Sequence, residues 1–391
     1  MSSPKSVFPL RINPLTPHTA PFPVISFPRT FRLQKMPSAP RLPFPTMITR
    51  LTLLFVAALS LSSAYAEPKK LLVVTVTTGF RHSSIETAEK VLAELGAKSG
   101  AFTVDYVHQP EGQPKNPGKP PVRDEKKDTD ESFKAKQETY SKALVDFNAA
   151  NKTWNEKIAA YMADKMALDK IKGYDGFVFA NTTGDLLLPD REGFIKLIEG
   201  GKAFVAMHSG SDTYHPFRGY IDMLGGEFET HKSQVEIQPI IHDPAHPITK
   251  TVPMGWKVFD EIYIIKTFDK AKVHGLLGLN EHPNLQQFRA EAAQRKEKNI
   301  EDPKKDADLK DVEAQKGRYF PVSWCKELGA GRVYYNSLGH REDVWDPTWK
   351  AGTKDRKNSP EIAETYQEMI LAGIKWALKL EEGVSTPGNI P

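Results

Sequence analysis

The sequence predicts an α/β protein built on a doubly wound, mostly parallel sheet that carries an inserted charged helical segment. Continuous apolar runs of strand length recur at 71–77, 176–180 and 203–207, as expected for strands buried on both faces. Segments with helical character lie between several of these runs, an alternation typical of parallel sheets. Each run ends in a polar turn that contains Gly, and open α/β folds bind ligands beyond the carboxyl ends of their strands.

The first 66 residues precede this pattern. Residues 1–46 hold 11 of the 30 Pro residues and show no apolar periodicity. Residues 47–66 combine an Arg, an apolar core and an Ala-x-Ala site, the features of a secretory signal peptide, and the core is shorter than the roughly 20 residues of a membrane span. We expect 1–46 to be a non-native or disordered leader and 47–66 a bacterial signal peptide. The mature protein would then begin at Glu67 and be periplasmic or secreted.

The basic balance of the chain comes from this leader. Residues 1–66 contain seven Lys and Arg and no acidic residue, so the remainder has 46 basic against 49 acidic residues. The net charge of +4 is therefore no argument for a nucleic acid or an anionic membrane as partner. The single Cys, Cys325, excludes an internal disulfide and lies in an apolar strand-like run, where we expect it to be a small core side chain.

The remaining elements follow in chain order. Ser83 or Ser84 is the expected N-cap of the first helix. The patterns predict helices at about 85–95, 190–199 and 360–380 and strands at 102–108, 235–241, 319–325 and 331–337. Gly200 and Gly201 are expected to end the second of these helices.

Two charged segments, at about 111–170 and 285–317, interrupt the predicted domain, which spans 67–384. The first has apolar side chains at the spacing of one helical stripe: Phe133, Tyr140, Leu144, Phe147, Trp154, Ile158 and Tyr161. This pattern predicts one helix, or a helical hairpin with a break near 148–151. The stripe either packs on the main domain or binds a partner protein or a second copy of the chain. The segment 285–317 has no such stripe and predicts a solvated loop or helix.

The turn after the run 203–207 is the most specific local signal. A strand that ends abruptly in a small-residue turn resembles a nucleophile elbow, which presents one side chain at the edge of the sheet. The residue at that position is His208, where nucleophile elbows carry Ser or Cys. We therefore expect His208 to be exposed at this edge, with a helix following directly.

Several segments together resemble the trehalose-utilisation (ThuA-like) family, whose fold is that of class I glutamine amidotransferases. The matching segments are 79–82, 207–212, 225–228 with His231, 242–247, 260–263, and 339–340 with Trp345. They occur in this order over roughly 71–110, 171–284 and 318–380. Amidotransferases of this fold use a Cys at the elbow and a later His-x-Glu. Here the elbow carries His208, while His340 and Glu342 keep the second pattern. Because glutamine hydrolysis on this route needs a thiolate, we do not expect glutaminase activity.

The predicted strand ends bring a set of polar side chains to one edge. We expect catalytic roles for His208, His340, Asp212, Glu261 and Glu342. We expect ligand-binding roles for Arg81, His82, Asn181, Thr182, Ser209 and Trp345. Imidazoles and carboxylates suit acid–base chemistry near neutral pH, and the same groups can hold a divalent metal, although no metal-binding spacing such as HExxH is present.

Several of these residues can also be explained by a purely structural role. His208 and His340 can be core residues, His82 can cap the first helix, and Asp212 can interact with a helix dipole. Glu261 can pair with Arg81 or Lys266. Trp345 either stacks on a sugar or closes the core. His231, His242 and His246 lie in turn-rich sequence, where a structural role is favoured.

The resemblance implies a carbohydrate-processing protein that acts on a sugar or keto-sugar derivative by hydrolysis, elimination or isomerisation. His208 and His340 would be its acid–base pair. The alternative is a non-catalytic sugar-binding or partner-binding module of the same fold, suggested by the missing elbow Cys. No Gly-x-Gly-x-x-Gly or P-loop motif follows the first strand, which disfavours a nucleotide cofactor.

Overall fold

A computed structural model describes residues 67–314, 319–350 and 355–391 of the chain. The expected leader at 1–46 and signal peptide at 47–66 lie outside the described residues. Within the described ranges, no helix combines the length and the apolar character needed to cross a membrane.

The centre of the fold is an eight-stranded sheet with the order β2-β1-β3-β4-β12-β11-β10-β7. The strands in chain order are β1 (Lys69–Val74), β2 (Phe102–Val107), β3 (Gly176–Ala180), β4 (Ala203–Met207), β5 (Glu227–His231), β6 (Val235–Ile237), β7 (Ile240–Ile241), β8 (Val258–Asp260), β9 (Tyr263–Lys266), β10 (His274–Leu279), β11 (Phe320–Leu328) and β12 (Gly331–Asn336). The first five strands of the sheet run parallel, and β11, β10 and β7 continue it in antiparallel fashion. The prediction of an α/β protein with a mostly parallel sheet is confirmed.

The helices lie between and around these strands. In chain order they are α1 (Ile85–Ser99), α2 (Asp130–Lys165), α3 (Leu168–Ile171), α4 (Arg191–Glu199), α5 (Arg218–Leu224), α6 (Leu285–Glu297), α7 (Pro303–Ala314), α8 (Glu342–Trp345) and α9 (Pro360–Ala377). Two small antiparallel pairs, β5 with β9 and β6 with β8, stand beside the main sheet.

The apolar runs are continuous because both faces of the sheet are covered. Side chains alternate between the faces along a strand, so Leu71 and Val73 of β1 enter one group of buried residues and Leu72 and Val74 enter another. Strands β3, β4 and β12 are buried along their whole length. Cys325 of β11 is fully buried, which confirms its prediction as a core side chain.

The charged segment after β2 contains one long helix without a break. Helix α2 begins at its N-cap Thr129, whose side chain accepts a hydrogen bond from the Ser132 amide, and it has no break at 148–151. The hairpin alternative is therefore wrong. Of the predicted stripe, only Trp154 and Ile158, in the carboxyl-terminal half of the helix, are buried. Met162, which lies outside the predicted stripe, is buried as well.

Two local predictions differ from the structure, whereas the predicted N-cap position of the first helix is confirmed. The strand expected over 235–241 is divided into β6 and β7. The residues after β4 form a 3-10 turn, His208–Asp212, and the next helix, α5, begins only at Arg218. Ser84 stands at the N-cap of α1, but its hydroxyl makes no capping hydrogen bond. That hydroxyl donates instead to the carbonyl of Gly339, in the loop after β12.

Candidate functional site

Four distant parts of the chain meet at the carboxyl edge of the parallel strands. His82 follows β1, His208 follows β4 and His340 follows β12, and these three strands belong to the parallel part of the sheet. Glu261 lies between β8 and β9, outside the main sheet. These four residues, called the His–Glu cluster below, each offer a nitrogen or oxygen atom, and these atoms lie within 4.8 Å of one another.

The backbone at His208 has the left-handed conformation that the predicted elbow implies. Its φ is +42°, which is uncommon for a residue other than glycine. Gly210, two residues later, has no space for a side chain, because a Cβ there would lie 2.8 Å from the Cβ of Ala206. The side chain of His208 is nevertheless fully buried. The expectation that it is exposed at the edge is wrong, because the rings of His82, His340 and Tyr263 pack around it.

The two nitrogens of His208 have different partners. Nδ1 lies 2.9 Å from the carbonyl oxygen of Ser337, which can only accept, so Nδ1 carries the proton in the neutral ring. Nε2 therefore has the free lone pair and accepts a hydrogen bond from the Tyr263 hydroxyl at 2.8 Å. The loop after β12 thus fixes both the tautomer and the direction of His208.

Glu261 links the imidazoles of the cluster. Its Oε2 lies 3.2 Å from Nδ1 of His340 and 3.7 Å from Nε2 of His208, while its Oε1 lies 2.9 Å from Nδ1 of His231. The alternative pairing of Glu261 with Arg81 or Lys266 is wrong. Arg81 donates to the carbonyl of Thr75, and Lys266 pairs with Glu229.

The four histidines around Glu261 differ in the direction in which their surroundings shift the pKa. Burial lowers the pKa of His82 to about 4 and lowers that of His208, so both rings are neutral at pH 7. Burial also opposes protonation of His340 and His231, but hydrogen bonds to Glu261 outweigh it and raise the pKa of both rings. For Glu261, burial raises the pKa, but its contacts with His231 and His340 prevail and hold it well below the usual range.

Two predicted ligand-binding residues, Asn181 and Trp345, converge with Ser84 on the carbonyl oxygen of Gly339. It accepts hydrogen bonds from Ser84 Oγ at 3.0 Å, Asn181 Nδ2 at 2.9 Å and Trp345 Nε1 at 2.9 Å. Trp345 is fully buried against Tyr366, so it has no face free to stack on a sugar, and that interpretation is wrong for this structure. Asn181 and Trp345 therefore hold the loop that carries His340.

Asp260 holds the same loop from the other side. Its Oδ2 accepts from the backbone amides of Gly339 at 2.7 Å and His340 at 3.3 Å. Asp260 is fully buried, and this burial raises its pKa to about 6. The position of His340 thus depends on hydrogen bonds to its own backbone amide and to the amide and carbonyl of Gly339.

The other predicted site residues lie outside the His–Glu cluster. Asp212 contacts Nε2 of His215 at 2.7 Å, and Glu227 holds the other nitrogen of that ring. Thr182 shares a hydrogen bond with Thr213. Glu342 begins helix α8 and is not one of the converging groups. Ser209, in contrast, contacts Nδ1 of His82 at 3.2 Å and so belongs to the surroundings of the cluster.

Sequence reasoning missed three residues that shape the site: Tyr263, His231 and Asp260. All three lie in segments that carried the family resemblance, 260–263 and 225–231. Asp260 and Tyr263 flank Glu261 at one and two residues' distance, and this proximity in sequence is a signal that points to them. His231 was assigned a structural role because turn-rich sequence does not show which side chain returns to a distant site.

The fold and the site together define an α/β protein whose mostly parallel sheet carries a buried imidazole–carboxylate site at its carboxyl edge. Residues 125–351, more than half of the chain, match the model of the ThuA family, described as trehalose utilisation. The chain belongs to this family. The matched range includes His208, Glu261 and His340, whereas His82 precedes it.

Solved structures that match this chain include two ThuA-like proteins. The protein from Parabacteroides merdae has 16% sequence identity and a TM-score of 0.47, over 82% of this chain and 98% of that one. The protein from Bacteroides uniformis has 17% identity and a TM-score of 0.45, over 80% and 93% of the two chains. The cytoplasmic protein STM3548 from Salmonella typhimurium has 8% identity and a TM-score of 0.38, over 79% and 98%. A search of curated proteins finds no match.

Proposed function

We propose that this protein processes a sugar or keto-sugar derivative by acid–base chemistry at the His–Glu cluster. The observation that carries the proposal is the pairing of a neutral and a protonatable imidazole, with Nε2 of His208 and Nδ1 of His340 3.3 Å apart beside one carboxylate. Such a pair can remove a proton at one step and return it at another. The family's link with trehalose utilisation supports a carbohydrate as the substrate.

The exposure of the cluster suggests roles for three of its four members. His340 has 22% of its side chain exposed and meets the substrate first, whereas His208 is fully buried behind it. His340 would exchange the proton with the substrate, and His208 would exchange it with His340. Glu261 would stabilise the charged form of His340 and orient both rings. Hydrolysis, elimination and isomerisation of a sugar all need this pair of proton transfers.

An exposed aromatic ring lies beside His82 of the cluster. Phe80 has 67% of its surface exposed, and its ring centroid lies 4.9 Å from that of His82. We propose that Phe80 packs on the apolar face of a sugar ring, the role that the buried Trp345 cannot take.

The test is the turnover of a panel of disaccharides and keto-sugars, measured by mass spectrometry of the products. We expect His340→Gln to lower kcat by about 100-fold or more, the usual contribution of a positioned acid or base. The matched control is His108→Gln, because His108 contacts Glu89 at 3.0 Å but lies outside the His–Glu cluster. Unchanged turnover of every accepted sugar in His340→Gln would overturn the acid–base role.

The alternative, a sugar-binding module without turnover, is separated from this proposal by calorimetry. Binding of a sugar by the wild-type protein with no product after long incubation would support the module. A product that appears with the wild type and not with His340→Gln would exclude it.

We further propose that the protein is exported, with 47–66 as its signal peptide. We also propose that its domain is doubly wound, as in class I glutamine amidotransferases, with insertions at 111–170 and 285–317. The amphipathic stripe of the first insertion supports a contact with a partner or a second copy, since its amino-terminal part is only half-buried. Export is tested by the mass of the protein from the periplasm or medium, which should begin at Glu67. Persistence of residues 1–46 on that protein would contradict it.

A further inference from the structure

We propose that His82, His208, Glu261 and His340 bind one divalent transition-metal ion of the zinc type. This inference rests on the proposed function for its biological meaning, because both concern the same site. With an ion bound, the facing nitrogens of His208 and His340 would be its ligands and would no longer exchange a proton directly, and the ion would supply the Lewis acid of the same sugar chemistry. Metal binding is measured without any turnover, however, so the two proposals can fail separately.

The distances between the donor atoms also match the spacing of ligands around one metal ion. Nε2 of His208, Nδ1 of His340 and Oε2 of Glu261 are separated by 3.3, 3.2 and 3.7 Å, which makes a nearly equilateral triangle. Ligand bonds of about 2.1 Å at tetrahedral angles place donor atoms roughly 3.4 Å apart. One ion can therefore bind all three atoms with small adjustments, and the ring of His82 is placed to supply a fourth ligand.

The hydrogen bonds behind these donor atoms are those that metal sites use. Metal-binding histidines commonly donate their other N–H to a backbone carbonyl, and bound carboxylates are themselves hydrogen-bonded. His208 donates from Nδ1 to the Ser337 carbonyl, which leaves its Nε2 lone pair directed at the cluster. Glu261 keeps Oε2 for the cluster because Oε1 is held by His231 at 2.9 Å.

The donor types select the class of metal. Three imidazole nitrogens and one carboxylate oxygen suit Zn²⁺ and its neighbours, whereas Mg²⁺ and Ca²⁺ prefer sites made of oxygen. Within the described ranges, no second group of His, Cys, Asp and Glu converges in this way. His274, which is buried, pairs with the half-buried Asp243 at 3.0 Å without further converging ligands, and this pair serves as a control.

Tyr263 gives the proposal a specific signature. Its hydroxyl donates to Nε2 of His208 at 2.8 Å, and a metal ion on that nitrogen must displace it. Tyr263→Phe removes the hydroxyl that competes with the ion for Nε2 of His208. We therefore expect this variant to bind Zn²⁺ about two- to ten-fold more tightly, the range that corresponds to one net hydrogen bond. If the cluster is only a hydrogen-bond network, the same variant creates no metal site.

The experiment uses the whole protein, stripped with a chelator and titrated with Zn²⁺ against a chromophoric chelator. We expect one Zn²⁺ per chain with a Kd in the micromolar range or below, and no comparable binding of Mg²⁺. Glu261→Gln and His208→Gln should each weaken binding at least 100-fold, whereas His274→Gln should leave it unchanged. Binding of less than a tenth of an equivalent by the wild type, or equal binding by Glu261→Gln, would overturn the proposal.

A spectroscopic measurement covers the case in which a variant does not fold. Co²⁺ in the wild-type protein should give the intense visible bands of a four- or five-coordinate site with nitrogen ligands, and Zn²⁺ should abolish them. The absence of such bands at saturating Co²⁺ would also overturn the proposal. A protein that binds Zn²⁺ but converts no sugar would contradict the proposed function and leave the metal site standing.

Discussion

Replacing Gly339 by Ala tests whether the loop before His340 is as closely packed as the structure shows. Gly339 has φ +116°, a conformation that side chains rarely adopt. A Cβ built on it would lie 2.7 Å from the Tyr366 hydroxyl and 2.9 Å from Nε1 of Trp345. Both neighbours are fully buried and hydrogen-bonded, so neither can move aside without losing a partner.

Two separate costs follow from this geometry. The left-handed backbone costs a residue with a Cβ about 1–2 kcal/mol, and forcing extra volume into a packed region costs about 1–3 kcal/mol more. We therefore expect Gly339→Ala to lower the free energy of unfolding by about 2–5 kcal/mol. A domain with the roughly 10 kcal/mol of stability in the middle of the ordinary range still folds after this loss.

The assay is urea denaturation of the wild type, Gly339→Ala and a control that carries the backbone cost alone. Gly388 is that control, because its φ is +107° and no atom lies within 4 Å of its built Cβ. Gly388→Ala should lose only about 1–2 kcal/mol. Equal losses in the two variants would refute the reasoning, because they would show that the contacts with Tyr366 and Trp345 impose no cost.

Three further predictions concern the core, the loop and pH. Trp154→Ala should lower the free energy of unfolding by about 3–5 kcal/mol in urea denaturation because Trp154 is buried, whereas Val145→Ala, on an exposed part of the same helix, should change it by less than about 0.5 kcal/mol. Trp345→Phe should cost about 1–3 kcal/mol by the same assay, since it removes the hydrogen bond to the Gly339 carbonyl and leaves a small void; an unchanged stability would contradict the role assigned to this residue. Burial lowers the pKa of His282 from 6.5 to about 4, so the unfolded chain takes up this proton first as the pH falls. His282 should therefore remove stability between about pH 6.5 and 4, by up to about 3 kcal/mol, and His282→Asn should show a shallower loss over this window in denaturation curves measured at several pH values; an identical slope would contradict this.

The features set by local sequence were predictable. The buried strands β1, β3 and β4 are continuous apolar runs, and the turn at His208 follows from an apolar run that stops at small polar residues. The meeting of His82, His208 and His340 follows from the rule that parallel strands end at one edge of a sheet. These inferences need only the period of the pattern and the sheet class.

The partners of polar side chains depended on contacts that the sequence pattern does not contain. Glu261 could be placed at the site, but its choice of three imidazoles over Arg81 or Lys266 is decided by how β8 and β9 lie against the main sheet. Asn181 follows β3 as predicted, yet its amide donates to the Gly339 carbonyl of a loop 158 residues away. Asp212 is drawn away from the cluster by His215, only three residues later.

The position of β12 in the sheet has a consequence for how the site is assembled during synthesis. β12 lies between β4 and β11, and it brings His340 against His208, which is 132 residues earlier in the chain. When β1 to β4 have been synthesised, the chain thus still lacks β12, the strand that pairs with β4. Contacts this distant in sequence form slowly, because a long loop must close before they give any stability. Two of the cluster's three imidazoles are therefore synthesised long before the last one, and no ion or substrate can use the complete site until the carboxyl-terminal part of the domain has folded.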